Sequence, residues 1–267
     1  MAKVSVIVPA AGAGKRFGGK ENKIFQRLGK SPVFMRTLEA FSNRDDICQI
    51  QLVVSAEDLA TISERFSGPL GFMGVKLVQG GATRTQSVRN ALANVSEQAD
   101  LVCVHDAVRP CVAQEWIDAV FKRAAQTQAA ILAYPVHGTL WKVADAQAGP
   151  QDDTNSVAAA LGLPAPPKPP AAKKLLATVD REALWEAQTP QVFARDLLLR
   201  AYAQEGEATD DAAMVRRLGV DVHAVLGDAR NVKITTARDL AFAAAVINTL
   251  PKPKPTGGFH PFDEGQW

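Results

Sequence analysis

With 267 residues, 47% of them hydrophobic and 22% charged, the chain has the make-up of a globular protein with one large core, or one core and an appendage. A formal net charge of +2 carries no acidic or basic excess, so neither nucleic acid nor a membrane surface is expected as a partner. The three scattered cysteines (Cys48, Cys103, Cys111) suit neither a disulfide framework nor a metal site; with no leader-like N-terminus and no apolar run near the roughly 20 residues that span a bilayer, a cytoplasmic place is expected.

The β-branched run over residues 4–8 predicts a strand buried on both faces. Residues 31–41 follow as a helix, with Pro32 allowed in its first turn. Strand 50–54, helix 59–66 and strand 75–78 come next. Val88, Leu92 and Val95 recur at helical spacing and predict a helix over 83–95. Strand 101–104, helix 116–125 and strand 130–135 complete the alternation. Strand and helix in turn mean an α/β fold with a mostly parallel, doubly wound sheet. Ligands of such sheets bind beyond the carboxyl ends of the strands.

After about residue 140 the alternation breaks. Residues 145–177 are rich in Ala, Pro, Asp and Gln, and Pro164, Pro166, Pro167, Pro169 and Pro170 exclude a regular helix. This stretch is expected to be an extended insertion. Order resumes at 185–193, followed by helix 211–218, strand 220–225 and helix 237–250. The tail 251–267 carries Pro251, Pro253, Pro255, Gly257 and Gly258, and is expected to be disordered.

Four segments carry chemistry. Pro9-Ala10-Ala11-Gly12-Ala13-Gly14-Lys15-Arg16 follows the first strand, where small residues let amides approach phosphate and two cations add charge. Its glycines are not spaced as G-x-G-x-x-G. Residues 14–20 fit G-x-x-x-x-G-K, but Glu21 stands where a magnesium-binding hydroxyl belongs; spacing alone leaves such a phosphate loop open. Lys23, close behind, can face the same strand end or be a solvated surface residue. Gly80-Gly81-Ala82-Thr83-Arg84-Thr85-Gln86-Ser87 opens a helix in the manner of an anion site, Ser87 either binding phosphate or serving the first turn. His105-Asp106-Ala107-Val108-Arg109-Pro110 puts an acid at the end of a buried strand, suited to a magnesium-bound triphosphate; the alternative is a structural Asp106–Arg109 ion pair. His105 reads as a hydrogen-bonded core residue, since no second His or Cys stands at ligand spacing.

Together with Gly138-Thr139-Leu140-Trp141-Lys142, Thr178-Val179-Asp180-Arg181, Thr189-Pro190-Gln191, Thr209-Asp210 and Asn231-Val232-Lys233-Ile234-Thr235, these segments resemble the 2-C-methyl-D-erythritol 4-phosphate cytidylyltransferases of the non-mevalonate isoprenoid pathway. The resemblance covers roughly residues 3–248 apart from the insertion; each piece is weak, and the ordered set is specific. It implies a Rossmann-like nucleotidyltransferase fold over 1–250, with a β-arm at about 136–182 that reaches across a homodimer. It implies transfer of CMP from CTP to the alcohol phosphate, with magnesium as cofactor. By motif position, Arg16, Lys23, Arg181 and Lys233 are catalytic. Ala10, Ala11, Gly12, Gly14, Gly81, Arg84, Ser87 and Ala107 line the CTP side, and Asp106 holds the metal at the junction of the two substrates. Arg109, Thr139, Thr189, Arg181 and Lys233 hold the alcohol phosphate, with Thr139 and Arg181 lent by the other subunit. The chain departs from the pattern at Asn22, where Pro is usual, at Ala82, where an acid is common, and in the insertion and tail. Two other readings remain: a cytidylyltransferase acting on ribitol 5-phosphate, and a non-catalytic nucleotide-binding module.

Overall fold

The computed structural model describes residues 1–12, 17, 22–145 and 172–252. In chain order its elements begin with β1 (Val4–Pro9), a 3-10 turn at Lys23–Phe25, β2 (Arg27–Leu28), β3 (Ser31–Pro32) and α1 (Val33–Ser42). Then come β4 (Ile47–Val54), α2 (Ala56–Phe72), β5 (Val75–Gln79), α3 (Arg84–Leu92), β6 (Leu101–Val104), α4 (Gln114–Thr127) and β7 (Ala129–Pro135). They are followed by β8 (Leu140–Asp145), β9 (Lys173–Val179), β10 (Trp185–Ala194), α5 (Arg195–Ala203), α6 (Asp211–Arg216), β11 (His223–Leu226) and α7 (Ala237–Val246), which ends in a 3-10 turn at Ile247–Thr249. No helix among the described residues is long and apolar enough to cross a membrane.

The chain divides into two compact units: the described parts of Met1–Tyr134 with Ala187–Trp267, and Pro135–Glu186. The larger unit is built on a seven-stranded sheet in the order β11-β7-β10-β6-β1-β4-β5. β1 pairs in parallel with β4 on one side and β6 on the other, and β4 with β5, while β10 runs antiparallel to β6. The expected mostly parallel α/β sheet is therefore present. The chain winds outward from β1 through β4 to β5, then returns to β6 on the opposite side of β1. This reversal opens a crevice at the carboxyl ends of β1 and β6.

Alternation along β1 assigns the two layers. Val4, Val6 and Val8 point into the core containing Phe34, Leu38 and Phe41 of α1 and Trp116 and Ile117 of α4. Ile7 points the other way, into the core of Val88 and Leu92 from α3 and Leu197 and Leu198 from α5. Burial on both faces explains why these strands read as continuous apolar runs.

Several boundaries differ from the sequence reading. Ser31 and Pro32 pair with β2 as a short strand, and α1 starts only at Val33 with Pro32 as its cap. The helix expected over 59–66 runs from Ala56 to Phe72. Ser55 caps it by accepting from the Asp58 N–H, and Glu57 and Asp58 suit its first turn. Gly68, Pro69 and Gly71 hide its second half from a propensity reading. The last strand is His223–Leu226, three residues later than expected, because it is defined by its parallel pairing with β7.

The smaller unit contains an antiparallel hairpin in which Leu140 pairs with Val179 and Asp145 with Lys173. Residues 173–177, expected within the irregular insertion, thus belong to β9. The Ala/Pro-rich composition upstream masked the apolar stretch Leu175, Leu176, Val179. The rest of the insertion call and the tail beyond residue 252 lie outside the described residues.

Candidate active site

The loop after β1 is pinned at its start, where the Ala10 N–H donates to the Val53 carbonyl at 2.7 Å. Asn22 braces it from the other end. Its Nδ2 donates to the Gly12 carbonyl at 3.2 Å and to Asp58 Oδ2 at 2.9 Å, and its Oδ1 caps the turn at the Ile24 N–H. The departure from Pro at this position thus supplies a hydrogen-bonded brace. Ile24 and Phe25 are buried next in sequence, Phe25 against Phe34 and Phe66. With its two neighbours anchored, Lys23 lines the crevice.

Opposite stands the loop after β5. A Cβ on Gly80 would lie 2.6 Å from Ala11 Cβ, 2.9 Å from Ser87 Oγ and 3.3 Å from the Val54 carbonyl. Only glycine lets the two loops approach this closely. Gly80→Ala is expected to cost about 1–3 kcal/mol by overpacking. It should also splay the two loops and weaken ligand binding between them. Denaturant unfolding and saturation kinetics check both; wild-type values for the two would refute the contact. Ser87 serves the loop as well: its Oγ donates to the Thr83 carbonyl at 2.8 Å and accepts from the Gly81 N–H at 3.1 Å. The Ala82 N–H donates to Gln86 Oε1 at 3.0 Å. The amides of Gly81 and Ala82 are therefore satisfied by the loop's own side chains.

These loops and the ends of β1 and β6 enclose a cavity of about 380 Å³. Ala10, Ala11, Gly12, Lys23, Gly81, Arg84, Ser87, Asp106 and Lys233 all line it. A second cavity of about 220 Å³ is lined by Arg109, Thr189, Gln191 and Asp210, and shares Arg84, Asp106 and Lys233 with the first. Those three side chains mark where the two cavities meet.

Asp106 is the hub of the charges. Its Oδ2 accepts from Lys233 Nζ at 2.8 Å and lies 3.3 Å from Arg109 Nε, while Arg84 Nε stands 4.0 Å from Oδ1. Burial alone would raise its pKa, but Lys233, Arg84 and Arg109 outweigh burial and hold the carboxyl well below the usual range. The cations around it keep it ionised at neutral pH. The Asp106–Arg109 pair considered from sequence is present, within a larger cluster. Arg109 is 5% exposed and also donates to the Asn231 carbonyl at 2.6 Å.

His105 is fully buried, as expected of a hydrogen-bonded core residue, and burial lowers its pKa to about 4. Its Nε2 lies 3.0 Å from the Arg109 carbonyl, which only accepts, so Nε2 carries the proton. Nδ1 then accepts from Thr189 Oγ1 at 3.2 Å, and that oxygen accepts from the Asp106 N–H at 3.1 Å. This chain of bonds fixes the loop that carries Asp106 and Arg109. Lys233 is positioned from behind by Ile234, whose N–H donates to the Val108 carbonyl at 2.9 Å.

Other expected residues stand elsewhere. Ala107 is fully buried, its carbonyl accepting from Thr37 Oγ1 at 2.9 Å; it belongs to the core and not to a cavity wall. Thr139 and Arg181 lie in the smaller unit, where both are exposed and Arg181 donates to the His137 carbonyl. Gly14 and Arg16 fall outside the described residues. Sequence reasoning missed Asp211, which is fully buried against Arg84. Its signal was the Thr209-Asp210-Asp211 helix start, where one acid caps and the next turns inward.

A sequence model of the family described as 2-C-methyl-D-erythritol 4-phosphate cytidylyltransferase matches residues 4–162 and 150–249. A protein of that name from Rhodopirellula baltica is 40% identical over 261 residues, which are 92% of this chain and 96% of the relative. One from Solibacter usitatus is 38% identical, over 90% of this chain and 94% of its own. Among solved structures, a 4-diphosphocytidyl-2C-methyl-D-erythritol synthase superposes with a TM-score of 0.70 at 30% identity, over 92% of this chain and 99% of that one. The 2-C-methyl-D-erythritol 4-phosphate cytidylyltransferase of Thermus thermophilus gives 0.66 at 30% identity, with the same coverage.

Proposed function

The chain belongs to the 2-C-methyl-D-erythritol 4-phosphate cytidylyltransferase family, and from that premise we infer that it transfers CMP from CTP to 2-C-methyl-D-erythritol 4-phosphate and releases pyrophosphate. The observation that carries the reading to the residues is the shared edge of the two cavities. A single carboxylate, Asp106, is gripped there by Lys233 and Arg109 with Arg84 beside it. One cavity suits the nucleotide and the other the alcohol phosphate.

The attacking phosphate is already charged, so the reaction needs no general base. Its difficulty is electrostatic, because one anion must approach another. In the first cavity Lys23, and by motif position Arg16, offset charge growing on the α-phosphate. At the junction Lys233 faces the attacking phosphate, with Arg109 beneath it. Arg181 and Thr139 are the further contacts to the alcohol phosphate that the family pattern implies.

The donor set fits a magnesium ion that arrives with the triphosphate. Such ions take one or two protein carboxylates and fill the remaining positions with phosphate oxygens and water. Asp106 answers to that description, and among the described residues no cluster of three or more His, Cys, Asp or Glu offers an all-protein cage. Bound there, the ion would supply Lewis-acid neutralisation of phosphate charge.

The active unit is a homodimer in which the hairpin of one subunit serves the partner's site. Its support is the exposed apolar surface of that hairpin, with Trp141, Val143, Leu175 and Leu176 all about half exposed. The cytoplasm is the place where Cys48, Cys103 and Cys111, all unpaired, would remain reduced. Pyrophosphate release measured over a panel of nucleotides and alcohol phosphates tests the activity. CTP with 2-C-methyl-D-erythritol 4-phosphate should be the preferred pair. Preference for ribitol 5-phosphate, or release no faster than background, would reject it.

A further inference from the structure

Arg84 stands in the first turn of α3, where a cation opposes the helix dipole. The helix gains nothing from it there, so its place has another reason. Its guanidinium lies between two carboxylates. Nη1 and Nη2 donate to Asp211 Oδ1 and Oδ2 at 3.2 and 2.6 Å. Nε stands 4.0 Å from Asp106 Oδ1, beyond a hydrogen bond.

Asp211 is held on every side. Its N–H donates to Gln191 Oε1 at 3.1 Å, and the hydroxyl of Tyr202, only 3% exposed, donates to its Oδ1. Gln191 is itself fixed by Asp210 Oδ2 at 3.0 Å. The transfer chemistry above uses neither Asp211 nor Tyr202, and neither lines a cavity wall.

We propose that Asp211, locked in place by Tyr202 and Gln191, is a positioning residue that holds Arg84 back from Asp106. A guanidinium binds a carboxylate best through a two-pronged face. Asp211 occupies that face, so Asp106 meets only the Nε edge and keeps Oδ1 open towards the junction. With Asp211 neutral, the fork of Arg84 turns to the nearest remaining carboxylate. Asp106, already engaged by Lys233 and Arg109, is then withdrawn from the substrates. Because Arg84 borders both cavities, the same movement reshapes each. The proposal rests on the functional reading of the junction given above.

Asp211→Asn keeps the shape and removes the charge. It is expected to lower kcat/KM about 10-fold or more, the scale of one lost charge-assisted pair. The deciding measurement is a cycle with Arg84→Gln. In that background Asp211→Asn should cost less than about twofold, since no cation remains to misplace. An Asp211 that only supports the start of α6 would cost the same in both backgrounds, and that result overturns the proposal, as does normal kcat/KM in Asp211→Asn. Tyr202→Phe is the gentler arm should Asp211→Asn not fold. It should lose about threefold with Arg84 present and nothing with Arg84→Gln; an equal loss in both refutes the lock. Calorimetric binding of CTP to the same proteins should show the same non-additivity. Pyrophosphate release by the wild-type protein separates the two possible failures: an inactive wild type sinks the functional reading, whereas an active one with additive variants sinks only this proposal.

Discussion

Lys23→Ala is expected to lower kcat about 10²-fold or more while KM for CTP changes modestly. The split follows from when the charge is needed. Negative charge crowds the α-phosphorus only as the attacking phosphate closes on it. A cation aimed there therefore stabilises the transition state more than the bound substrate. The substitution should leave the fold intact, because the turn is held by Ile24 and Phe25 in the core and by the Asn22 brace. Turnover and unfolding midpoint measured on one preparation check both halves. Near-normal kcat would remove Lys23 from the chemistry, and a collapsed midpoint would make it structural.

Arg181→Ala is expected to raise KM for the alcohol phosphate about 10- to 100-fold, with little change for CTP. That range corresponds to the roughly 1.5–3 kcal/mol of a hydrogen bond to a charged group. An equal rise for both substrates would show that the residue acts on the enzyme as a whole. The same variant tests the dimer. If the hairpin serves the partner's site, a dimer of one Lys23→Ala and one Arg181→Ala subunit holds one doubly damaged site and one intact site. Random pairing then yields half mixed dimers, and activity returns to roughly a quarter of wild type. Co-expression with two affinity tags isolates the mixed species. No recovery above the single variants would place Arg181 in its own subunit's site or outside any site.

The first loop shows how far local sequence reaches. Small residues after a buried strand, followed by Lys23, predicted a phosphate-facing turn, and the described part of that loop lines the larger cavity. The paired glycines at 80–81 were equally legible, because a close approach of two backbones leaves a local mark. The occupants of their amides were not. Ser87 and Gln86 fold back on Gly81 and Ala82, a choice made by helix geometry that residue type alone does not announce. Ala107 is a further case: next in sequence to Asp106, it is buried in the core.

Read alone, the chain revealed the alternation of strands and helices as far as β7, the glycine-bearing loops and the family, though not β2, β3 or α5, because β-branched runs and glycine turns act over a few residues and leave their signature where they act. Only the tertiary structure decided which charges meet. Arg84 finds Asp211 across 127 residues of chain, and Lys233 reaches Asp106 from a loop that follows the last strand. Such pairings are set by the order of strands in the sheet and by which side chains lose water together, and neither is written in the neighbourhood of any one residue.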